Sequence, residues 1–164
     1  MLTKIYRFRL HAFAMVLALL AGCQTAPPQG LNAQQIAVLK QQGFELTEQG
    51  WSFGLSGKVL FGNDVDTLNQ QSRVIVERIA TALLAVDIQH LRVDGHTDAT
   101  GQAAYNESLS LRRAASVTKA LINAGVPAQN IETRGLGSRY PVAGNDSAAG
   151  RTENRRVAIV VASN

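Results

Sequence analysis

The sequence predicts a two-layer α/β domain preceded by a short helical segment. The first observation is the order of hydrophobic periods. Alternating stretches of period 2 are separated by long stretches of period 3.6, in the order strand, helix, strand, helix, strand, strand. The second is a clean stripe at Ala114, Val117, Leu121 and Ala124, spaced 3, 4 and 3, which marks one buried helix face. The third is an apolar run at the start of the chain that carries no charge and ends at the lone cysteine, which sets the first residues apart from the domain.

Residues 1–22 have the layout of a secretory leader. Lys4, Arg7 and Arg9 precede an uncharged run over residues 12–20, too short to span a bilayer comfortably. Leu20-Ala21-Gly22-Cys23 resembles a bacterial lipoprotein box, which implies cleavage before Cys23 and acylation of its sulfur and new amino terminus. Cys23 has no possible internal disulfide partner. Several acyl chains anchor far more firmly than one. Gln24, where an Asp would signal inner-membrane retention, directs the expectation to the outer membrane. Residues 23–31 are then the lipidated cysteine and a polar linker containing Pro27-Pro28.

Residues 31–42 predict a helix, with Asn32 as N-cap, Ile36 and Leu39 on its apolar stripe and Gly43 as stop. Trp51-Ser52-Phe53-Gly54-Leu55 alternates and predicts a strand. The segment 32–53 is dense in large apolar residues and admits two readings. It packs on the domain and covers an edge, or it is a movable latch whose Leu39 and Phe44 contact a partner. Reach gives the second reading content: nine extended residues span at most about 30 Å and thirty about 100 Å.

From residue 54 onward one domain is expected. Val59-Leu60-Phe61 predicts a strand and Asn63-Asp64 a turn. Residues 68–85 predict a helix capped by Asn69, with Ile75, Ile79, Ala82 and Leu83 inward. Residues 91–95 alternate as a strand, 104–124 form the striped helix closed by Gly125 and Pro127, 131–135 form a strand, 138–153 a polar loop, and 156–161 a last strand. The crossovers should be right-handed.

Charge excludes one class. The whole chain is +4, from 16 basic and 12 acidic residues; three of the basic ones lie in the leader, leaving 13 against 12, or +1. No basic patch or stripe of a nucleic-acid binder is present. His96 lies between Asp94 and Asp98, yet only His90 accompanies it after the leader, so the expectation is a structural histidine and no metal or other cofactor. No serine sits in a nucleophile elbow, so catalysis is not expected.

Asp94-Gly95-His96-Thr97-Asp98 puts an acid just past a strand end, and Asn106-Glu107-Ser108-Leu109-Ser110-Leu111-Arg112-Arg113 carries a base on the flank of the following helix. By spacing alone, Asp98 and Arg113 could be a structural ion pair or a clamp for a zwitterion. These stretches, with Gly135-Leu136-Gly137, Pro141 and Asn154-Arg155-Arg156-Val157, resemble the peptidoglycan-binding domain shared by OmpA, Pal and MotB proteins, over residues 54–161. The resemblance implies a mixed four-stranded sheet with helices on one face, plus the N-terminal helix. It implies that Asp98 takes the ammonium and Arg113 the carboxylate of diaminopimelate in the wall stem peptide, a pairing that suits a planar guanidinium. Phe61, Gly62, Asn63, Asn106, Leu109 and Arg155 are expected along the groove. Arg155 and Arg156 are adjacent on a strand, so at most one of them faces it.

Gln35-Ile36, Leu39, Gly43-Phe44, Trp51, Phe53-Gly54-Leu55-Ser56 and Gly150-Arg151-Thr152-Glu153-Asn154 extend the resemblance to YfiB-type outer-membrane lipoproteins. That family implies capture of a soluble periplasmic inhibitor, YfiR, which relieves an inner-membrane diguanylate cyclase, raises cyclic-di-GMP and promotes biofilm. The other expectation is a Pal-like structural tether between outer membrane and wall.

Overall fold

The computed structural model describes residues 30–57 and 66–163. The leader, Cys23, the predicted strand at 59–61 and the groove residues Phe61, Gly62 and Asn63 lie outside the described residues.

Helix α1, Ala33–Gln41, opens with a full capping box: Asn32 accepts from the Gln35 amide, and the Gln35 side chain accepts from the Asn32 amide. Its other end is a Schellman motif. Gly43 sits at φ +88° and donates to the Lys40 carbonyl, while Phe44 donates to the Leu39 carbonyl. That motif brings the side chains three residues before and two after the cap together. Leu39 is 0% and Phe44 3% exposed, both inside the main core. The chain then makes a hairpin, β1 (Glu45–Thr47) and β2 (Gly50–Ser56), so β2 runs across the expected 53/54 division.

Helix α2, Gln70–Leu84, is capped by Asn69, whose side chain accepts from the Ser72 amide. Its buried face is Ser72, Val76, Ile79, Ala80 and Leu83, rotated from the expected stripe; Ile75 and Ala82 are half-buried on its flanks. Strand β3 is Leu91–Gly95 and helix α3 is Ala103–Asn123, followed by β4, Ile131–Gly135. The polar loop expected at 138–153 instead contains helix α4, Ala148–Asn154, capped by Ser147. It has no apolar stripe to announce it; its buried residues are Gly150 and Asn154. Strand β5, Arg156–Val161, closes the sheet.

The sheet has five strands among the described residues, not four, in the order β1-β2-β5-β3-β4. Strands β3 and β4 are parallel and the other pairs antiparallel. The additional strand, β1, is a three-residue exposed edge with no buried side chain to reveal it. Alternation sends Val93, Val157 and Ile159 into one core with Val76, Ile79 and Leu83 of α2 and Val117 and Leu121 of α3. The opposite face carries Arg92, Asp94, Arg134 and Arg156.

Gly95 and Gly135 are register partners at the ends of β3 and β4. A Cβ at Gly95 would collide with the Ser110 carbonyl, and one at Gly135 would lie 2.6 Å from Leu111 Cβ. Helix α3 therefore lies directly on the sheet backbone at that end.

Candidate functional site

The site forms where the sheet ends beneath the first turns of α3. Beyond Gly95 the chain keeps sheet-like bonds: His96 donates to the Arg156 carbonyl and Thr97 to that of Gly137, both at 2.9 Å. This delivers Asp98 beside the junction of α4 and β5. Asp98 Oδ2 accepts from Arg155 Nη1 at 2.7 Å, and Oδ1 accepts from the Thr100 amide at 2.9 Å. Its side chain is 11% exposed. Burial alone would raise the Asp98 pKa, but the bonds from Arg155 and Thr100 hold it below the ordinary carboxylate value.

Arg113 is half-buried on α3, on the flank that the sequence predicts. Burial and then the nearby Arg155 charge lower its pKa, while Tyr105, Asp66 and Asp98 oppose that shift. Asp98, Arg113 and Arg155 thus share one field. Arg155, expected along the groove, is the direct partner of Asp98 and also donates to Thr152 Oγ1 at 2.8 Å. The Arg113 charge is opposed by that of Arg155 and supported by Asp66 and Asp98.

Asn106 and Leu109 are 4% and 9% exposed. Asn106 is a brace: its Nδ2 donates to the Thr100 carbonyl at 3.0 Å and the Asp98 carbonyl at 3.4 Å, fixing the loop that carries the acid. Leu109 packs beneath it on the same flank, one turn from Arg113.

A second support was not expected. Asn154, wholly buried, accepts from the Val142 and Ala143 amides and donates to Asn145 Oδ1 at 3.1 Å. Asn145 Oδ1 in turn accepts from the Ala99 amide at 3.0 Å, next to Asp98. The only sequence signal for this chain was two asparagines in a Gly-rich loop.

Arg155 is the C-cap of α4 and not a strand residue as expected, and Arg156, the first residue of β5, lies on the open sheet face with Asp94 and His96. There Asp94 is held by Arg134 at 2.7 and 2.9 Å and by Arg92 at 3.0 Å. His96 is 4% exposed. Burial first, then the Arg156 charge, lower its pKa to about 4, against the pull of Asp94. No group of three or more His, Cys, Asp or Glu among the described residues could hold a metal ion. No helix among them is long and apolar enough to cross a membrane.

The partner residues expected on α1, Leu39 and Phe44, are sealed in the core in this conformation and present no surface. The reason is local: the residues flanking the helix-ending Gly43 are the ones its cap folds together.

A one-faced mixed sheet with an acid–guanidinium cluster at the end of β3 defines an OmpA-like domain, and residues 60–155 match the OmpA family. The chain belongs to that family. It is 60% identical to the outer-membrane lipoprotein YfiB of Pseudomonas aeruginosa, over 93% of this chain and 90% of that protein. The periplasmic domain of Helicobacter pylori MotB superposes with a TM-score of 0.65 at 31% identity, covering 74% of this chain and 88% of that one. The peptidoglycan-associated lipoprotein of Burkholderia pseudomallei gives 0.56 at 31% identity, covering 62% and 86%.

Proposed function

We propose that this chain is an outer-membrane lipoprotein, anchored through acylated Cys23, that binds peptidoglycan at Asp98, Arg113 and Arg155. The Arg155–Asp98 bond, with the half-buried Arg113 on the α3 flank within the field of both charges, is the observation that supports the reading. The free end of diaminopimelate has a carboxylate for the guanidiniums and an ammonium for Asp98. Asp98 retains acceptor capacity beyond its bonds from Arg155 and from the Thr100 amide and hydroxyl, because a carboxylate offers about four lone-pair sites. The ligand carboxylate also relieves the repulsion between Arg113 and Arg155. Sedimentation with purified sacculi tests this: wild type should pellet with them, Arg113→Ala should stay in the supernatant, and equal pelleting would overturn the reading.

The likeness to YfiB supports a finer proposal, capture of a YfiR-like periplasmic inhibitor with release of an inner-membrane diguanylate cyclase. In this reading α1 and the hairpin are a latch. Removing Leu39 and Phe44 from the core costs roughly 3–6 kcal/mol, from 1.5–3 per side chain, so capture must supply that energy. Phe44→Ala then loosens the latch and raises co-purification of the inhibitor, while a disulfide engineered between α1 and α2 lowers it. A purely structural tether, the role suggested by the peptidoglycan-associated neighbour, leaves both variants indistinguishable from wild type in signalling.

A further inference from the structure

The open face of the sheet holds a feature that wall binding does not use. A cavity of about 290 Å³ is lined by Ser52, Gly54, His96, Val142, Arg156 and Ala158, among others. His96, 4% exposed, has no hydrogen-bond partner for Nδ1 among the described residues. Arg156 donates through Nη2 to the Tyr140 carbonyl at 3.2 Å, but its Nη1 is equally buried and unpartnered. Buried polar atoms are nearly always paired, so two orphans on one cavity call for a missing partner.

The charges identify that partner's sign. Asp94 is the carboxylate that pulls on Arg156, yet Arg134 and Arg92 already occupy its two oxygens. Exposed Glu48 at the rim is the other acid lining the cavity. Arg92 and Arg134 are met by Asp94 and, for Arg134, also by Glu132 at 4.0 Å, whereas the Arg156 charge has no counter-ion bonded to it among the described residues. At neutral pH the His96 ring is uncharged, so it can offer one N–H beside the guanidinium. The volume lies at the small end of ligand pockets.

We infer that this cavity binds a small oxyanion, a carboxylate or phosphate group, held by Arg156 and His96 on the side of the sheet away from the wall-binding cluster. Arg155 and Arg156 would then serve two anion sites from adjacent positions, one on each side of the sheet.

The test is side-chain NMR of the histidines in the full chain, purified in detergent, at fixed ionic strength. Sodium phosphate and sodium acetate are titrated separately against a sodium chloride background. A saturable shift of the His96 ring nitrogens is expected with at least one of the two, and which one names the class. Affinity should fall at least tenfold in Arg156→Gln. It should fall as far in Gly54→Val, which adds a side chain on the cavity lining; a Cβ at Gly54 meets nothing within 4 Å, and thermal unfolding checks that this variant is folded. Arg113→Ala should bind as wild type does, although it loses sacculi. No shift beyond that with chloride would mean that water alone satisfies these atoms, and the inference fails. It fails also if Gly54→Val binds unchanged, or if Arg113→Ala abolishes the shift, which would place the ion at the other site.

Discussion

Asp94 and Asp98 stand four residues apart in one motif and end in opposite situations. Asp94, with a side chain 2% exposed, receives three N–H groups from Arg134 and Arg92 and its acceptor sites are largely filled. Asp98 receives one guanidinium N–H, the Thr100 amide and the Thr100 hydroxyl, and its charge acts on the nearby Arg113. Both carboxylates are held below their ordinary pKa by neighbours that outweigh the opposing effect of burial. A depressed pKa therefore does not tell binding from structure here. What differs is the partners: two guanidiniums bond Asp94, whereas Asp98 bonds one guanidinium and its own loop and is the more exposed side chain, 11% against 2%.

The largest effect should come from breaking the saturated network. Asp94→Asn leaves two guanidiniums without their counter-ion and should cost about 2–4 kcal/mol in urea unfolding, discounted for their partial exposure, with sacculus binding kept at concentrations where the protein is folded. Asp98→Asn should show the reverse: about 1 kcal/mol of stability and loss of sacculus binding.

The open face adds a pH dependence. His96 has a folded pKa of about 4, below its ordinary 6.5, so as pH falls the unfolded chain takes up the proton first. Stability should decline between pH 6.5 and 4 by up to about 3 kcal/mol. The carboxylates behave differently: their contribution is present above the ordinary Asp value and is lost only as pH falls through their lowered folded values. His96→Gln should flatten the upper window and leave the lower one, measured by thermal unfolding across pH. The smallest effect is Arg113→Lys, which keeps the charge and loses the planar fork. Sacculus affinity should drop roughly tenfold, about the loss of one charge-assisted bond.

The same contrast explains what the sequence could convey. Local features were legible: Asn32 and Asn69 as caps, Gly43 as a stop, and the α3 stripe each depend on neighbours within a turn or two. Helix α4 and strand β1 were not, because one is a short helix with no large apolar residue and the other is an exposed three-residue edge. The Arg155–Asp98 pair spans 57 positions and exists only because β5 inserts beside β3. Asp98 and Arg113 came from resemblance, since spacing alone favoured a structural ion pair. Leu39 and Phe44 stood out as large apolar residues, but their meaning lay in the Schellman geometry between them, which buries them together.

The contact of α3 with the bare backbone at Gly95 and Gly135 has a bearing on how this protein meets its target. A helix seated that low has a single resting depth, so Arg113 is held at a set height before any ligand arrives. Little disorder then remains to be frozen out on docking, and selectivity becomes a matter of lock rather than glove.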